Sequence, residues 1–338
     1  MEWDHDIDIS TRKMSSQLII KRTLARGWKI CGFKSNPAIF LIYIPGKENP
    51  VKIFSASPPM NSLPATKIAK DKYITNQILN QANIPVPKEL LINHANYNLD
   101  EVDAFIKSCG KVVVKPLDAS HGNGITMTVN SLDRFKNAVE EVKSYTKNKN
   151  VVIQEELSGI DIRVLCINYK YISALSRIPA SIIGDGEHSV RELIEITNNS
   201  DERGQNYRSK LNVIPMNKVE RHLSSDELSY IPDSEVEVQV IGVSNIGMGG
   251  VRKNIENLMP KALIELAIEV SKLMELPVCG VDFMVKHEPN VNSTFEELQP
   301  KVIEVNDCPM LTVYEDINSV EEQEVIDNYL DFIASSVV

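Results

Sequence analysis

A lysine at the end of an apolar strand, followed by a loop with two glycines, is the feature that most constrains this chain. Residues 112–114 are consecutive valines, Lys115 follows them, and Gly122 and Gly124 lie in the loop beyond. Glycine lets backbone N–H groups converge on anionic oxygens, and a lysine adds a positive charge beside them. The pattern predicts a strand, a phosphate-binding loop and a second strand.

This loop, which also contains Ser120 and His121, does not match two well-known phosphate loops. No Walker sequence of the form GxxxxGK[ST] occurs in the chain, and the pair Gly122 and Gly124 lacks the third glycine of the dinucleotide fingerprint. We therefore expect another kind of nucleotide site.

Two apolar segments near the C-terminus contain the polar residues of a candidate metal site. In residues 302–306, Glu304 and Asn306 are two apart and share one face of the predicted strand, while Asp282 lies inside the β-rich residues 278–285. Two carboxylates and an amide oxygen suit Mg²⁺, with Mn²⁺ as an alternative, and Mg²⁺ commonly bridges nucleotide phosphates. The plainer interpretation is three ordinary polar residues on strands.

Length and composition limit the class of protein. The chain has 338 residues, of which 43% are hydrophobic, enough for two or three compact lobes. Its net charge of -10 argues against nucleic-acid binding, because counterion release needs a cationic surface. No apolar span reaches membrane length, and the five cysteines lack the spacing of a disulfide or zinc framework. We expect a cytoplasmic protein with neither nucleic acid nor membrane as partner.

Taken together, these segments resemble the ATP-grasp carboxylate–amine ligases over roughly residues 65–335. Residues 184–194 follow the pattern GDGxHxxxxLI, which is similar to a segment of cyanophycin synthetases and of the ATP-grasp half of bifunctional glutathione synthetases. Four motifs occur in the family's order, namely residues 112–116, residues 154–163, Asp282 and residues 304–309.

The resemblance implies a fold and a division into lobes. The expected class is α/β (α+β), with the ATP-grasp arrangement in which a nucleotide lies between two α+β lobes. Residues 1–64 would form a small N-terminal lobe, residues 65–154 the central lobe, and residues 155–338 the C-terminal lobe with the metal site and substrate loops. Pro58, Pro59 and Pro64 predict a linker between the first two. We expect a stand-alone ATP-grasp unit.

The resemblance also assigns roles to side chains. Lys72 and Lys115 correspond to phosphate-facing lysines, and Asp161 to a residue beside the ribose hydroxyls. Arg163 and Arg177 correspond to arginines that offset charge on phosphate or on a substrate carboxylate. These two arginines and Lys115 are the implied catalytic residues, and the implied adenine-binding hinge consists of Gln154, Glu155, Glu156 and Leu157.

A structural role is the alternative for several of these residues. Lys72 could be one solvated charge on a helix that has other lysines, and Arg177 a surface cation at a strand end. Asp161 and Arg163 share one face of a predicted strand and could simply pair with each other.

The chain departs from the family pattern at three places. Gln154 replaces the glutamate that many relatives have at the adenine-facing position, residues 251–256 replace an aspartate–threonine run, and Met310 replaces a frequent glycine. The identity of the substrates therefore does not follow from the resemblance.

The implied reaction joins a carboxylate to an amine through an acylphosphate, with ATP as phosphoryl donor and release of ADP and phosphate. Its implied partners are ATP and small carboxylate and amine substrates, such as amino acids or small peptides, with a homodimer as a family-level expectation. Two alternatives remain open at this point: a kinase on the same scaffold, and a non-catalytic nucleotide-binding regulatory module.

Overall fold

A computed structural model describes residues 8–117, 124–146, 149–204, 211–242, 244, 246–314 and 324–336. The N-terminal part pairs one helix with an antiparallel three-stranded sheet of order β1-β2-β3. Its elements are α1 Met14–Ala25, β1 Lys29–Gly32, β2 Ile39–Tyr43 and β3 Val51–Phe54. Apolar patterning predicts a helix near residues 15–26 and strands at residues 28–33, 38–44 and 51–55, and all four elements form there.

Two short helices follow where the sequence predicts one helix over residues 67–81. They are α2 Leu63–Lys70 and α3 Lys72–Gln81. Asp71 lies between them with an extended backbone, and its side chain caps α3 by accepting a hydrogen bond from the Ile74 N–H. Pro64, predicted as part of a linker, instead occupies the first turn of α2, where a missing N–H is tolerated.

The central lobe is a four-stranded antiparallel sheet of order β4-β7-β5-β6 with two helices on one face. Its elements are β4 Glu89–Asn93, α4 Leu99–Cys109, β5 Val112–Pro116, β6 Thr126–Val129, α5 Leu132–Lys143 and β7 Asn150–Glu155. Alternate residues of the strands, such as Val112, Val114 and Ile153, pack against Val102 and Phe135 of the helices. The other face of this sheet has no helix packed on it among the described residues.

The C-terminal lobe is built around a five-stranded antiparallel sheet of order β14-β9-β8-β15-β16. The strands and helices from residue 160 onward are β8 Ile160–Ile167, β9 Lys170–Ile178, β10 Ser181–Ile183, α6 Val190–Asn198, β11 Arg203–Gly204, β12 Leu211–Asn212, α7 Met216–Val219, α8 Ser225–Ser229, β13 Glu237–Gln239, β14 Val251–Asn254, α9 Lys261–Leu273, β15 Val278–Val285, α10 Phe295–Leu298, β16 Lys301–Asn306 and α11 Glu324–Ser335.

One face of the five-stranded sheet is mainly apolar, and the other is divided. On the apolar face, Val164, Val281 and Phe283 pack against α9, and the same core includes Ala65 of α2 and Leu79 of α3. On the divided face, one end packs against the N-terminal sheet and α11, through residues such as Leu165 and Val278. Charged residues occupy the other end of this face.

The domain boundaries proposed from the sequence remain a proposal. Helices α2 and α3, which follow or span residue 64, pack on the five-stranded sheet. The C-terminal helix α11 shares the core of the N-terminal sheet. Both observations mean that the lobes are interlocked through shared cores.

No helix in the described part of the chain is both long enough and apolar enough to span a membrane.

Asn61 fastens the N-terminal part to β15, and its removal tests this connection. Its buried side chain accepts a hydrogen bond from the Val278 N–H and donates to the carbonyl oxygens of Val278 and Asp307, at 2.7 and 2.8 Å. We expect Asn61→Ala to lower the free energy of unfolding by about 2–4 kcal/mol, because three buried backbone groups lose their partner. Urea unfolding followed by circular dichroism measures it.

Asn80→Ala is the matched control, because Asn80 is exposed on α3. We expect it to change the free energy by less than about 0.5 kcal/mol. Equal effects of the two substitutions would contradict the anchoring role of Asn61.

Candidate active site

The helix-free face of the central sheet presents polar side chains from three neighbouring strands. Because side chains alternate along a strand, the residues that do not pack on α4 and α5 point the other way. Glu89 of β4 lies directly opposite Gln154 of β7. On the other side of β7, Val113 of β5 lies opposite Gln154, and Lys115 lies two residues beyond Val113 on the same face. This face therefore combines a lysine, a carboxylate and an amide.

Charged residues cover the open end of the five-stranded sheet, and antiparallel register decides their partners. Asp282 of β15 lies opposite Arg163 of β8, and Asp161 of β8 lies opposite Arg177 of β9. Residues in such pairs project from the same face and come into contact. Asp161 pairs with Arg177, which lies across from it on the neighbouring strand, and not with Arg163, which is two residues away on the same strand.

Asp282 is the centre of this cluster. Its carboxylate accepts a bidentate interaction from Arg163, at 2.6 and 2.7 Å, and a further hydrogen bond from Arg177 at 2.8 Å. Arg177 also donates to Asp161 at 2.6 Å. The Asp282 side chain is 0% exposed and that of Arg177 is 11% exposed, so Arg177 is not a surface cation.

The balance between burial and ion pairing shifts the pKa of Asp282 and the pKa of Asp161 in opposite directions. Burial pushes the pKa of Asp282 upward, but the attraction and hydrogen bonds of Arg163 and Arg177 outweigh it and lower that pKa. For Asp161 burial prevails over the attraction of Arg177, and the negative charge of Asp282 adds to it, which raises the pKa of Asp161 to about 6. Asp282 is thus the permanent anion of the cluster.

The three residues predicted to bind a metal lie together but differ in what they still offer. Glu304 lies opposite Asp282 across β15 and β16, and its side chain is 34% exposed. Asn306 uses its amide N–H to donate to Asp282 at 3.4 Å, which leaves its carbonyl oxygen for another partner. The Asp282 oxygens already accept four hydrogen bonds from Arg163, Arg177 and Asn306.

The donor set therefore fits a hard cation at Glu304 and Asn306, while Asp282 would have to release a partner to bind one. In the described part of the chain, no three His, Cys, Asp or Glu side chains converge as a metal cluster. The metal site remains a prediction, with Glu304 and Asn306 as its available ligands.

The two predicted phosphate lysines are both paired with a carboxylate. Lys72, the first residue of α3, has its ammonium nitrogen 3.6 Å from Glu304. Lys115 lies 3.3 Å from Glu89, and both of these side chains are almost inaccessible to water. Burial lowers the pKa of Lys115 and raises the pKa of Glu89, while their mutual attraction opposes both shifts. The charges of Lys72 and Glu304 also act on the pKa of Lys115, which is consistent with their lying near it. We call the space between Lys115, Lys72 and Glu304 the cleft.

Glu89 was missed by the sequence reasoning. It is a single charged residue at the start of an apolar strand, a common place for a solvated charge. The only signal was its spacing: it alternates with Leu91 away from the core residues Leu90 and Ile92.

The predicted adenine hinge joins the two sheets. Glu155 is paired with Lys301, and Glu156 accepts hydrogen bonds from the N–H and hydroxyl of Thr128, so both acidic side chains have structural partners. Leu157 follows β7, and its N–H and C=O make no hydrogen bond within the described residues. The backbone of Leu157 is the part of the hinge that could contact a base.

Three residues predicted in the phosphate loop, namely Ser120, His121 and Gly122, lie outside the described residues. Gly124 is described and has φ +69, and a Cβ there would come within 2.9 Å of the Tyr145 side chain. The hydroxyl of Tyr145 accepts a hydrogen bond from Arg221 at 2.6 Å, and the Arg221 guanidinium also stacks on its ring. The loop thus ends where the central lobe contacts residues that follow α7.

Asp185, Glu187 and His188 of the GDGxHxxxxLI segment form a local turn before α6. Asp185 accepts hydrogen bonds from the backbone of Glu187 and His188 and contacts the His188 ring at 2.7 Å. These bonds lower the pKa of Asp185 to about 2. Within the described residues, the hydrogen bonds of this turn join neighbouring residues, and none of them reaches the Asp282 cluster.

Replacing Asp282 tests whether it is the counter-ion of the cluster. We expect Asp282→Asn to lower the free energy of unfolding by about 3–5 kcal/mol, because Arg163 loses its anion and Arg177 keeps only Asp161. Asp331→Asn is the control, since Asp331 pairs with Arg26 at the surface and is 71% exposed, and there we expect under about 1 kcal/mol. Chemical unfolding measures both. A change at Asp282 as small as that at Asp331 would refute this role.

Comparison with known proteins agrees with this geometry. Residues 55–162 match the family model described as sugar-transfer associated ATP-grasp. The cyanophycin synthetase of Crocosphaera subtropica is 30% identical over 251 residues, which cover 72% of this chain and 28% of that protein. The glutathione biosynthesis bifunctional protein GshAB of Listeria monocytogenes is 28% identical over 326 residues, covering 95% of this chain and 41% of that protein.

Among solved structures, a bifunctional glutathione synthetase from Pasteurella multocida superposes with a TM-score of 0.67 and 23% identity, covering 97% of this chain and 44% of that one. The chain thus spans less than half the length of each of these relatives. The structural likeness establishes the fold, and the family model and the sequence relatives agree with it. This chain has the ATP-grasp fold, and residues 55–162 match an ATP-grasp family model.

Proposed function

We propose that this chain is an ATP-dependent carboxylate–amine ligase that forms an amide or peptide bond. The observation that supports it most directly is the cleft between two polar sheet faces. One face has Lys115, while the other has Arg163, Arg177 and the accessible Glu304. Phosphoryl transfer needs positioning and charge neutralisation more than covalent help from the protein, and this cleft supplies both.

The nucleotide would lie along the junction of the lobes. The free backbone groups of Leu157 suit the edge of adenine, and Asp161 retains an oxygen that is not bonded to Arg177 and suits a ribose hydroxyl. Lys115 and Lys72 suit the phosphates at the other end of the cleft. The loop residues Ser120, His121, Gly122 and Gly124 are proposed to supply further phosphate contacts.

The proposed reaction has two steps. A substrate carboxylate oxygen attacks the γ-phosphorus of ATP, the bond to the bridging oxygen breaks, and ADP leaves an acylphosphate behind. An amine then attacks the acyl carbon, the carbon–oxygen bond to phosphate breaks, and amide, phosphate and a proton result. Arg163 and Arg177 are held rigidly by Asp282 and Asp161, so they can offset charge that develops in both steps without rearrangement.

A divalent cation, Mg²⁺ or Mn²⁺, would neutralise phosphate charge when bound, and Glu304 and Asn306 are the residues proposed to hold it. Asp282 would contribute mainly by fixing the two arginines and through its negative charge near the proposed cation site.

The substrates are proposed to be amino acids or small peptides. Arg252 of β14 lies opposite Arg177, and in the described part of the chain its guanidinium has no hydrogen-bond or ion-pair partner. Partial burial lowers the pKa of Arg252 without any anion to compensate. An unpaired guanidinium at the edge of the cluster suits a substrate carboxylate. A cytoplasmic location and a homodimer remain expectations of the proposal.

The proposal predicts magnesium-dependent release of ADP and phosphate when ATP meets the correct pair of substrates. Pools of amino acids and small carboxylates are incubated with the full chain and ATP, and mass spectrometry identifies the product of every active pool. An adduct lighter than its components by one water supports the ligase. A stable phosphoester without free phosphate would instead indicate a kinase, and nucleotide binding without turnover in any pool would favour a regulatory module.

Once an active pool is known, Glu304→Gln tests the proposed cation site. We expect turnover to fall by at least about 100-fold while the circular dichroism spectrum is kept, because a neutral amide binds a hard cation poorly. Cys308→Ala is the control, since Cys308 is exposed and only four residues away, and it should retain most of the activity. Full activity of Glu304→Gln would contradict the assignment of Glu304 as a ligand of the divalent cation.

A further inference from the structure

Glu89 has a buried oxygen that nothing in the protein satisfies. One carboxylate oxygen, Oε1, accepts hydrogen bonds from the ammonium group of Lys115, at 3.3 Å, and from the side-chain amide of Gln154. The other oxygen, Oε2, is buried and has no hydrogen-bond partner among the described residues. The side chain as a whole is 1% exposed. Buried carboxylate oxygens are seldom left without a donor, so this one is suited to a donor from a ligand.

The position of Glu89 indicates which ligand. It projects from the helix-free face of the central sheet, directly opposite Gln154, the residue that leads through Glu155 and Glu156 to the hinge at Leu157. Leu157 follows Gln154 by three residues, so its free N–H and C=O and the free oxygen of Glu89 lie toward the same end of the central sheet. An acceptor in this place favours a ring system with an exocyclic amine and disfavours one with a carbonyl group there.

We propose that Glu89 is a base-specificity residue, whose Oε2 accepts a hydrogen bond from the exocyclic amine of adenine while Oε1 holds Lys115 and Gln154. This inference rests on the proposed function, because it requires that the cleft binds ATP. It assigns two tasks to one carboxylate: it orients the phosphate-facing lysine, and it selects an aminopurine.

Glu89→Gln separates these tasks. Lys115 and Gln154 both donate to the position of Oε1, so the amide oxygen of the substituted side chain must take that position. Its NH₂ group then occupies the position of Oε2 and faces the amine of adenine donor to donor. The substitution keeps the size of the side chain and keeps an acceptor for Lys115.

The experiment is calorimetric binding of two nucleotides to the full chain in the presence of Mg²⁺. The nucleotides are ATP and purine riboside 5′-triphosphate, which has a hydrogen in place of the 6-amino group. We expect the unaltered protein to bind ATP about tenfold more tightly than the analogue, and Glu89→Gln to reduce this ratio to about threefold or less. Glu140→Gln is the control: Glu140 also pairs with a lysine, Lys143, but on the exposed surface of α5, and it should leave the ratio unchanged.

The ratio distinguishes base selection from a merely structural role. If Glu89 only supports Lys115, the substitution weakens the binding of both nucleotides equally. The ratio of the two affinities then stays the same, which overturns the inference. Equal affinities of the unaltered protein for both nucleotides overturn it as well, without touching the proposed function. Failure of the unaltered protein to bind either nucleotide overturns both the inference and the proposed function. The comparison of the two nucleotides with the unaltered protein needs no substitution, so the second of these outcomes can be tested even if Glu89→Gln does not fold.

Discussion

The buried carboxylate of Asp282 is the interaction on which the rest of the active site depends. It neutralises Arg163 and Arg177 on neighbouring strands, and Arg177 in turn holds Asp161. A network of this kind, shielded from water, is strong when every member has a partner and costly when one member is missing. It therefore fixes four side chains in place before any ligand arrives, and it explains how a charged surface can continue directly from an apolar sheet core.

The remaining cations of the cleft are also balanced inside the protein. Lys72 lies beside Glu304, and Lys115 lies beside Glu89. Each of these pairs contains one group that suits phosphate and one that suits either a cation or an amine. A nucleotide with its metal ion offers both kinds of partner at once, so it can take up both halves of a pair without leaving a buried charge alone. Arg252 is the exception, since no anion in the described residues balances it. In the proposed function, Arg252 belongs to the substrate side of the cleft.

Much of the fold could be predicted because short apolar runs and turn residues act locally. The strands at Val278–Val285 and Lys301–Asn306 and the helix at Met14–Ala25 occur close to where their patterns place them. The break at Asp71 could not be predicted from periodicity, because lysines and apolar residues continue through it. Its cause is a capping interaction, in which the Asp71 side chain satisfies a free N–H of α3. The predicted class, α/β (α+β) with the ATP-grasp arrangement, is confirmed by the structural comparison.

The sequence by itself determined the chemical inventory: which acids lie inside apolar strands, where a lysine precedes a glycine loop, and which face of each strand they share. These properties depend on composition and on the two-residue repeat of a strand, and both can be identified from the amino-acid sequence. Only the tertiary structure decided which side chains pair with each other. Asp161 contacts Arg177 rather than its near neighbour Arg163, because antiparallel register brings residues 16 apart in the chain into direct opposition. The role of Glu89 likewise depends on β4 lying beside β7, a contact between residues 65 apart that no local pattern contains.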